Sequence, residues 1–316
     1  MIAAGCLVQW YEVDMFEEYL SSLIKSIGTN KDKVLVDMCL VINQDLERID
    51  GDTDMLTYVM EKYLRVCGEV SKEGYKIHSR ITNELYTIAD YRRDFNKKYS
   101  EIADTLFWGE SDMLVPSQAV EVMLSMHNAL EAQTPKWIGF FATCKMWDDS
   151  WKVLEHPKLT DLPRDPYAWY GTRSYMDYDK MEEINSDVET PELLSTFDYK
   201  FNGCGLIISS ELIKSGVNIP PSVFFTHEDT ALMNNMLTTF GNKQIPQYII
   251  KNILLVHNRE HPNKRKYVAQ ETGEDINQQR KSNDWYRIAS EMSKHNAYSF
   301  MKQGRSYNWK DVWEAL

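Results

Sequence analysis

Nothing in this 316-residue chain stays apolar for the roughly 18 consecutive residues that a membrane-spanning helix needs, so a bilayer-embedded protein is not expected. Positive charge is also in short supply. Thirty-five Lys and Arg face 47 Asp and Glu, a formal net charge of −12, which disfavours the many phosphate contacts of non-specific nucleic-acid binding. A local basic cluster can still grip one small phosphate. Cysteine is sparse and odd in number: Cys6, Cys39, Cys67, Cys144 and Cys204 lie far apart, mostly in apolar runs, and suit reduced core thiols better than disulfides or a zinc cage. There is no internal repeat and no low-complexity tract. The opening "MIAAGCLVQWYEVDMFEEYL" lacks a basic n-region and turns acidic too soon for a signal peptide, so a cytoplasmic location is expected. What remains, 43% apolar and 26% charged residues, is enough to bury one large core or two modest ones.

Hydrophobic periodicity alternates between strand-like and helix-like in the first half. Ile2 to Trp10 is a continuous apolar run; Met15, Phe16, Tyr19, Leu20, Leu23, Ile24 and Ile27 then recur at helical spacing with Glu17, Glu18 and Lys25 on the other face. Val34 to Ile42 predicts a second strand, ending in "NQD", and Met55 to Leu64 a second helix capped by Thr53 or Asp54. Tyr75 to Thr82 and the stripe from Ile88 to Ile102 repeat the pattern, and "TLFW" (105–108) is a fourth strand. Strands alternating with helices imply crossovers and a mainly parallel sheet covered on both faces. In such sheets ligands bind beyond the carboxyl ends of the strands, which places "QWYE" (9–12), "NQD" (43–45) and "ESD" (110–112) along one rim.

After Pro116 the alternation loosens. "QAVEVMLSMH" predicts a helix, "WIGFFA" (137–142) a strand, "GCGLIIS" (203–209) a Gly-spaced strand, "HEDTALMNNML" a helix start and "YIIKNILLVH" (248–257) a last strand. Residues 145–200 are expected to be irregular yet rich in Trp and Tyr, which argues for an ordered functional segment. Residues 276–303 predict a helical C-terminal appendage.

Glu110 and Asp112 follow the fourth strand directly. In extended chain, residues two apart share a face, so an extended Glu-x-Asp can aim both carboxylates at one ion. Mg²⁺ or Mn²⁺ takes one or two protein carboxylates and keeps several waters. A solvated turn is the plainer reading of the same triplet. For "HED" (227–229), acids in a first helical turn are favoured by the helix dipole, and Thr226 with Asp229 could form a capping pair.

In order and content, "NQD", "YRRDFNKK", "ESD" and "HEDTAL" resemble the motifs of the GT-A glycosyltransferases, the broad superfamily that uses nucleotide-diphosphate sugars, across roughly residues 2–260. The resemblance implies a Rossmann-like α/β fold with a mixed, mainly parallel sheet flanked by helices. It implies a catalytic domain over 1–260, with a nucleotide-binding half (1–116) and an acceptor half (117–260), followed by an appendage over 261–316. It also implies metal ligands Glu110, Asp112 and His257, and a general base, Asp229, assisted by Glu228. For the nucleotide it points to Gln9, Tyr11, Asn43, Asp45, Arg93 and Ser111, with Arg92 able to exchange roles with Arg93. His261 and the basic residues Arg259, Lys264, Arg265 and Lys266 are candidates for the phosphates. Two positions depart from the pattern: Glu110 stands for the first Asp of the Asp-x-Asp signature, and Asn43 for the usual acid at the second strand end.

The implied activity is metal-dependent transfer, with Mn²⁺ or Mg²⁺, of a sugar from a nucleotide diphosphate to a hydroxyl, with inversion. The acceptor would be a glycan, a lipid-linked or small molecule, or a hydroxylated base in modified DNA. A retaining transferase on the same fold and a catalytically silent nucleotide-sugar-binding protein are the alternatives. A nucleotidyltransferase would carry a Gly-rich phosphate loop after its first strand, and "VQWYEVD" offers none.

Overall fold

The computed structural model describes residues 1–42, 53–146, 148–161, 175–258, 261 and 284–303. Asn43, Asp45, Trp147, Tyr167, Trp169, Tyr170, Arg259, Lys264, Arg265 and Lys266 lie outside them.

The first half follows the predicted alternation. Strand β1 (Ile2–Gln9) is buried along nearly its whole length, as a central parallel strand should be. Its side chains divide between two cores: Ala4, Cys6 and Val8 face one, Ala3 and Leu7 the other. Helix α1 (Phe16–Ile27) buries Phe16, Tyr19, Leu20, Leu23 and Ile27, the stripe expected from the sequence, and stops at Gly28 with φ +50°. Then come β2 (Val34–Val41), α2 (Thr53–Lys72), β3 (Lys76–Thr82), α3 (Ile88–Tyr99) and β4 (Thr105–Trp108). Thr87 and Asp90 form a capping box at the start of α3.

The second half contributes β5 (Met113–Leu114), α4 (Ala119–Leu130), β6 (Ile138–Ala142), α5 (Tyr178–Asn185), β7 (Leu193–Thr196), β8 (Ile207–Ser209), α6 (Ser210–Lys214), α7 (Glu228–Phe240), β9 (Gln247–Leu254), β10 (Val256–His257) and α8 (Asp284–Gln303). Eight strands form one sheet in the order β3-β2-β1-β4-β8-β6-β9-β7. All neighbours are parallel except where β8 and β7 run against theirs. Residues from α1, α2 and α4 pack in the core on one face, and residues from α3, α6 and α7 in the core on the other. The fold is thus the mixed, mainly parallel α/β class that the resemblance implies.

Two features depart from the sequence reading. The stretch expected to be irregular over 145–200 contains α5 and the edge strand β7, and "GCGLIIS" is strand only over its last three residues. Helix α8 docks on α7 and on the segment before it. Phe225 N donates to Ser293 Oγ at 3.0 Å, Asn296 Nδ2 to Ser222 O at 2.6 Å, and Asn234 Nδ2 to Ala297 O at 2.7 Å. No helix among the described residues is long and apolar enough to cross a membrane.

Candidate functional site

Because β1, β2, β4, β6 and β9 are parallel, their carboxyl ends share one rim. At the end of β4 the chain passes through Gly109, whose amide donates to Gly5 O at 2.7 Å. A Cβ at Gly109 would lie 2.2 Å from the Tyr19 hydroxyl, so no larger residue passes without displacing that ring. Glu110, Ser111 and Asp112 follow as a tight turn, with Met113 N donating to Glu110 O at 3.1 Å. Ser111 and Asp112 are buried.

Histidine 257 reaches this turn from the far end of the chain. β5 and β10 pair antiparallel with Met113 opposite His257, and Asn258 N donates to Asp112 O at 2.7 Å. The His257 Nε2 is therefore 3.0 Å from Glu110 Oε2 and 3.2 Å from Asp112 Oδ1. Burial opposes a charge on the imidazole, but Cys204, Asp112 and Glu110 around it hold its pKa well above the usual histidine range. Burial likewise pushes Glu110 up, yet His257 and Arg92 outweigh it and bring the carboxyl down to about 2.

Arg92, on α3, is the hub. Only 2% exposed, it donates from Nη2 to Glu110 Oε1 at 2.8 Å and to Gly203 O at 2.7 Å, and pairs through Nη1 with Glu228 Oε1. Its guanidinium lies 4.7 Å from the centre of the Trp108 ring, whose Nε1 donates to Asn96 Oδ1 at 2.8 Å. The chain leaves room for it at Gly203, where a Cβ would fall 2.2 Å from Nη1 and 3.1 Å from Glu110 Oε1.

Glu228 and Asp229 open α7 after His227, which takes a left-handed φ of +62°. Burial raises the Glu228 pKa to about 7, against the opposing pull of Arg92, and burial raises Asp229 as well. The capping pair between Thr226 and Asp229 does not form. Thr226 Oγ1 lies 3.4 Å from Ser290 Oγ, and Asp229 Oδ1 instead accepts from Thr230 N at 2.6 Å. Glu110, Asp112, His257, Glu228 and Asp229 therefore belong to one charged assembly built around Arg92.

Of the expected nucleotide residues, Gln9, Tyr11, Arg93 and Ser111 are described, and Asn43 and Asp45 are not. Gln9 ends β1, and its amide donates to Glu12 Oε2 at 3.1 Å. Tyr11 is buried, with its ring 5.7 Å edge-on from Trp10. Arg93 is committed elsewhere: Nε donates to Ile219 O, Nη2 to Pro220 O and Val223 O, and Nη1 to Asp90 Oδ1. Arg92, not Arg93, is the arginine at the cluster. His261 Nε2 lies 3.1 Å from Glu18 Oε1, which also accepts from Tyr175 OH at 2.6 Å. Tyr175 and Tyr178 line a cavity of about 420 Å³ beside α1, with Glu17, Glu18, Lys25 and Asp177.

One member of the cluster, Cys204, is expected from the sequence to be a reduced core thiol and not a metal ligand. Cys204 Sγ, a Glu110 carboxylate oxygen and a His257 ring nitrogen all lie within 4.8 Å of one another. The glycines that flank it, Gly203 and Gly205, were the available signal, since both mark close approach to other chain segments.

No protein-family model matches the sequence, and no curated protein matches it. Among solved structures, S. aureus TarS 1-349 is similar over 95% of this chain and 73% of that one, at 11% identity and a TM-score of 0.47. The mannosyltransferase PcManGT from Pyrobaculum calidifontis, in complex with GDP-Man and Mn²⁺, is similar over 99% and 78%, at 11% identity and 0.45. The 4-diphosphocytidyl-2C-methyl-D-erythritol synthase of Anaerococcus prevotii DSM 20548 is similar over 80% and 89%, at 14% identity and 0.34. At such identities a likeness is one of chain path, and neither residue roles nor activity follow from it.

Proposed function

We propose that the chain is a metal-dependent, inverting glycosyltransferase of the GT-A type, which moves a sugar from a nucleotide diphosphate to a hydroxyl. One observation carries this reading: the "ESD" turn and the "HED" turn, far apart in sequence, meet at the carboxyl rim of a mainly parallel sheet through a single buried arginine. Their meeting is what a reaction with a charged leaving group on one side and a nucleophile on the other requires.

The donor set fits a divalent cation. Two carboxylates and an imidazole converge within 3.0 and 3.2 Å at His257 Nε2, with the oxygen-rich character that Mn²⁺ and Mg²⁺ favour. Glu110, Asp112 and His257 would hold the ion, which when bound neutralises the charge that builds on a departing diphosphate. The protein's own groups do the rest. Asp229 accepts the proton of the acceptor hydroxyl, a role that a half-buried carboxylate with a raised pKa can fill near neutral pH. Glu228, pinned by Arg92, fixes the start of α7 and so the direction of Asp229. Gln9, Tyr11, Asn43, Asp45 and Ser111 are assigned to the nucleoside side, within a donor half over 1–116, and Arg92 takes the place expected of Arg93, whose guanidinium is held by Asp90 and the backbone of Ile219, Pro220 and Val223. Residues 117–260 form the acceptor half, where Tyr175 and Tyr178 offer ring faces to a sugar or another hydroxylated acceptor.

A panel of nucleotide sugars incubated with Mn²⁺, and separately with chelator, tests the reading. Slow nucleotide release that needs the metal and disappears in Asp112→Ala is expected. Binding of a nucleotide sugar without release under any condition would instead support the catalytically silent alternative. Product stereochemistry decides between inversion and retention.

A further inference from the structure

We infer that Cys204 adds a thiolate donor to this centre, so that Glu110, Cys204 and His257, with Asp112 beside the histidine, form a site for a borderline divalent cation of the Zn²⁺ and Co²⁺ type. The inference rests on the reading of Glu110, Asp112 and His257 as metal ligands, and goes beyond it in ligand and in metal class.

The geometry is that of three converging donors, Glu110, Cys204 and His257, with the Asp112 carboxylate beside the histidine. In a tetrahedral zinc centre with bonds of about 2.0–2.3 Å, neighbouring ligand atoms lie roughly 3.4 Å apart. His257 Nε2 already stands at 3.0 Å from Glu110 Oε2 and 3.2 Å from Asp112 Oδ1. Cys204 joins Glu110 and His257 in a set whose donor atoms all lie within 4.8 Å of one another. Cys204, His257 and Asp112 are 1%, 6% and 5% exposed, whereas the Glu110 side chain is 25% exposed.

The four residues come from three separate segments, each tied down. Cys204 N donates to Asn202 Oδ1 at 2.9 Å, and Gly205 N to Trp108 O at 2.9 Å, which fixes the thiol turn against the end of β4. β5 and β10 fix the carboxylates against the histidine. Cys204 also differs in setting from an ordinary core thiol. Most buried cysteines sit among hydrocarbon, whereas this one borders a carboxylate and an imidazole.

Donor chemistry then sets the preference. Thiolate and imidazole suit Zn²⁺ and Co²⁺, whereas Mg²⁺ and Mn²⁺ gain little from sulfur. When the metal–sulfur bond forms, the thiol proton leaves to solvent, as does the imidazole proton that His257 shares with the carboxylates. No electron changes hands.

Titration of the whole chain with Co²⁺, followed by absorbance, tests this. One equivalent of Co²⁺ should bring up an intense sulfur-to-cobalt charge-transfer band together with the visible bands of four-coordinate Co²⁺, and Zn²⁺ should erase both while excess Mg²⁺ does not. Cys204→Ser should lose the charge-transfer band; Cys144→Ser, which alters another buried thiol near His257, should keep it. Should Cys204→Ser not fold, Cys204→Ala carries the same comparison. Co²⁺ bound without a charge-transfer band, with visible bands that Asp112→Ala abolishes, would overturn the thiolate donor and leave the three-ligand reading standing. Absence of any Co²⁺ binding would overturn both. A band that follows Cys144 rather than Cys204 would overturn the assignment of the donor.

Discussion

Glu110 and Glu228 hold the same guanidinium: Arg92 donates from Nη2 to one carboxylate and from Nη1 to the other. Removing one partner of a buried charge network leaves the others desolvated and unpaired, at a cost of about 3–5 kcal/mol. Arg92→Met should therefore lower thermal stability by an amount in that range and abolish measurable transfer. Arg92→Lys keeps the charge but offers no planar fork for both acids. It should recover much of the stability and little of the activity. Equal recovery of both would mean that charge alone, not the link between the two turns, matters.

Gly203 offers a way to disturb the same hub without touching a charged residue. A methyl group there would meet Arg92 Nη1 and Glu110 Oε1 at 2.2 and 3.1 Å. Gly203→Ala should push the guanidinium off its partners, destabilise the fold by about 1–3 kcal/mol as overpacking does, and reduce nucleotide release as severely as an Arg92 variant. Wild-type activity in a well-folded Gly203→Ala protein would remove Arg92 from the working site.

Asp229 is expected to set the acid limb of the pH–rate profile. Its pKa is raised by burial, so the deprotonated base is lost as pH falls through a value above the ordinary Asp range of about 3.9. The rate should climb with pH through that limb and then level off. Asp229→Asn should cut kcat by about 10²–10⁴-fold while leaving the donor KM within a few-fold. A variant that keeps its rate would favour the retaining alternative, in which no carboxylate takes the acceptor proton from that side.

The parts of the fold that were readable in advance are those whose burial repeats along the chain. β1, α1, β2 and α3 each present a long apolar pattern, and each lies within a few residues of its expected position. β7 was not readable. It is a four-residue edge strand with Leu193 and Leu194 well exposed, so neither alternation nor a continuous run marks it. The reversed direction of β8 is also invisible, since three residues carry no sign of which way they run. At the site, strand-end acids announced themselves by position, but the choice between Arg92 and Arg93 did not. Adjacent residues on a helix point about 100° apart, and a buried arginine is unexpected until Glu110 and Glu228 are known to meet it. Cys204 escaped for the same reason: its neighbours arrive from other segments.

The five thiols should behave as buried, protonated groups. Burial pushes Cys39, Cys67 and Cys144 up to about 12 and Cys204 to about 11, and raises Cys6 well above its usual range. A disulfide reagent should find almost no fast-reacting thiol in the native, metal-free protein and five in denaturant. A raised folded pKa contributes stability below the unfolded value of about 8.5, and that contribution drains away as pH rises toward the folded values. Denaturation midpoints should accordingly fall between pH 9 and pH 11. A replacement of Cys39 by Ser or Ala should flatten that fall in proportion to the one thiol removed.

Helix α8 braces the approach to the base. Ser293 and Asn296 fasten the backbone at Phe225 and Ser222, the segment that leads into Glu228 and Asp229. Ala289 and Ala297 are fully buried, so the helix is packed and not merely tethered. Net hydrogen-bond contributions of about 0.5–1.5 kcal/mol each predict that Ser293→Ala with Asn296→Ala costs about 1–3 kcal/mol of stability. The kinetic effect should be selective. Glu110, Asp112 and His257 are held by the β5–β10 pairing and are untouched, so donor KM and metal affinity should stay constant while kcat falls. Metal affinity measured by Co²⁺ titration beside steady-state kinetics separates the two. A parallel loss of metal binding would show that α8 supports the whole rim, whereas an unchanged kcat would show that Arg92 by itself is enough to hold the start of α7 in place.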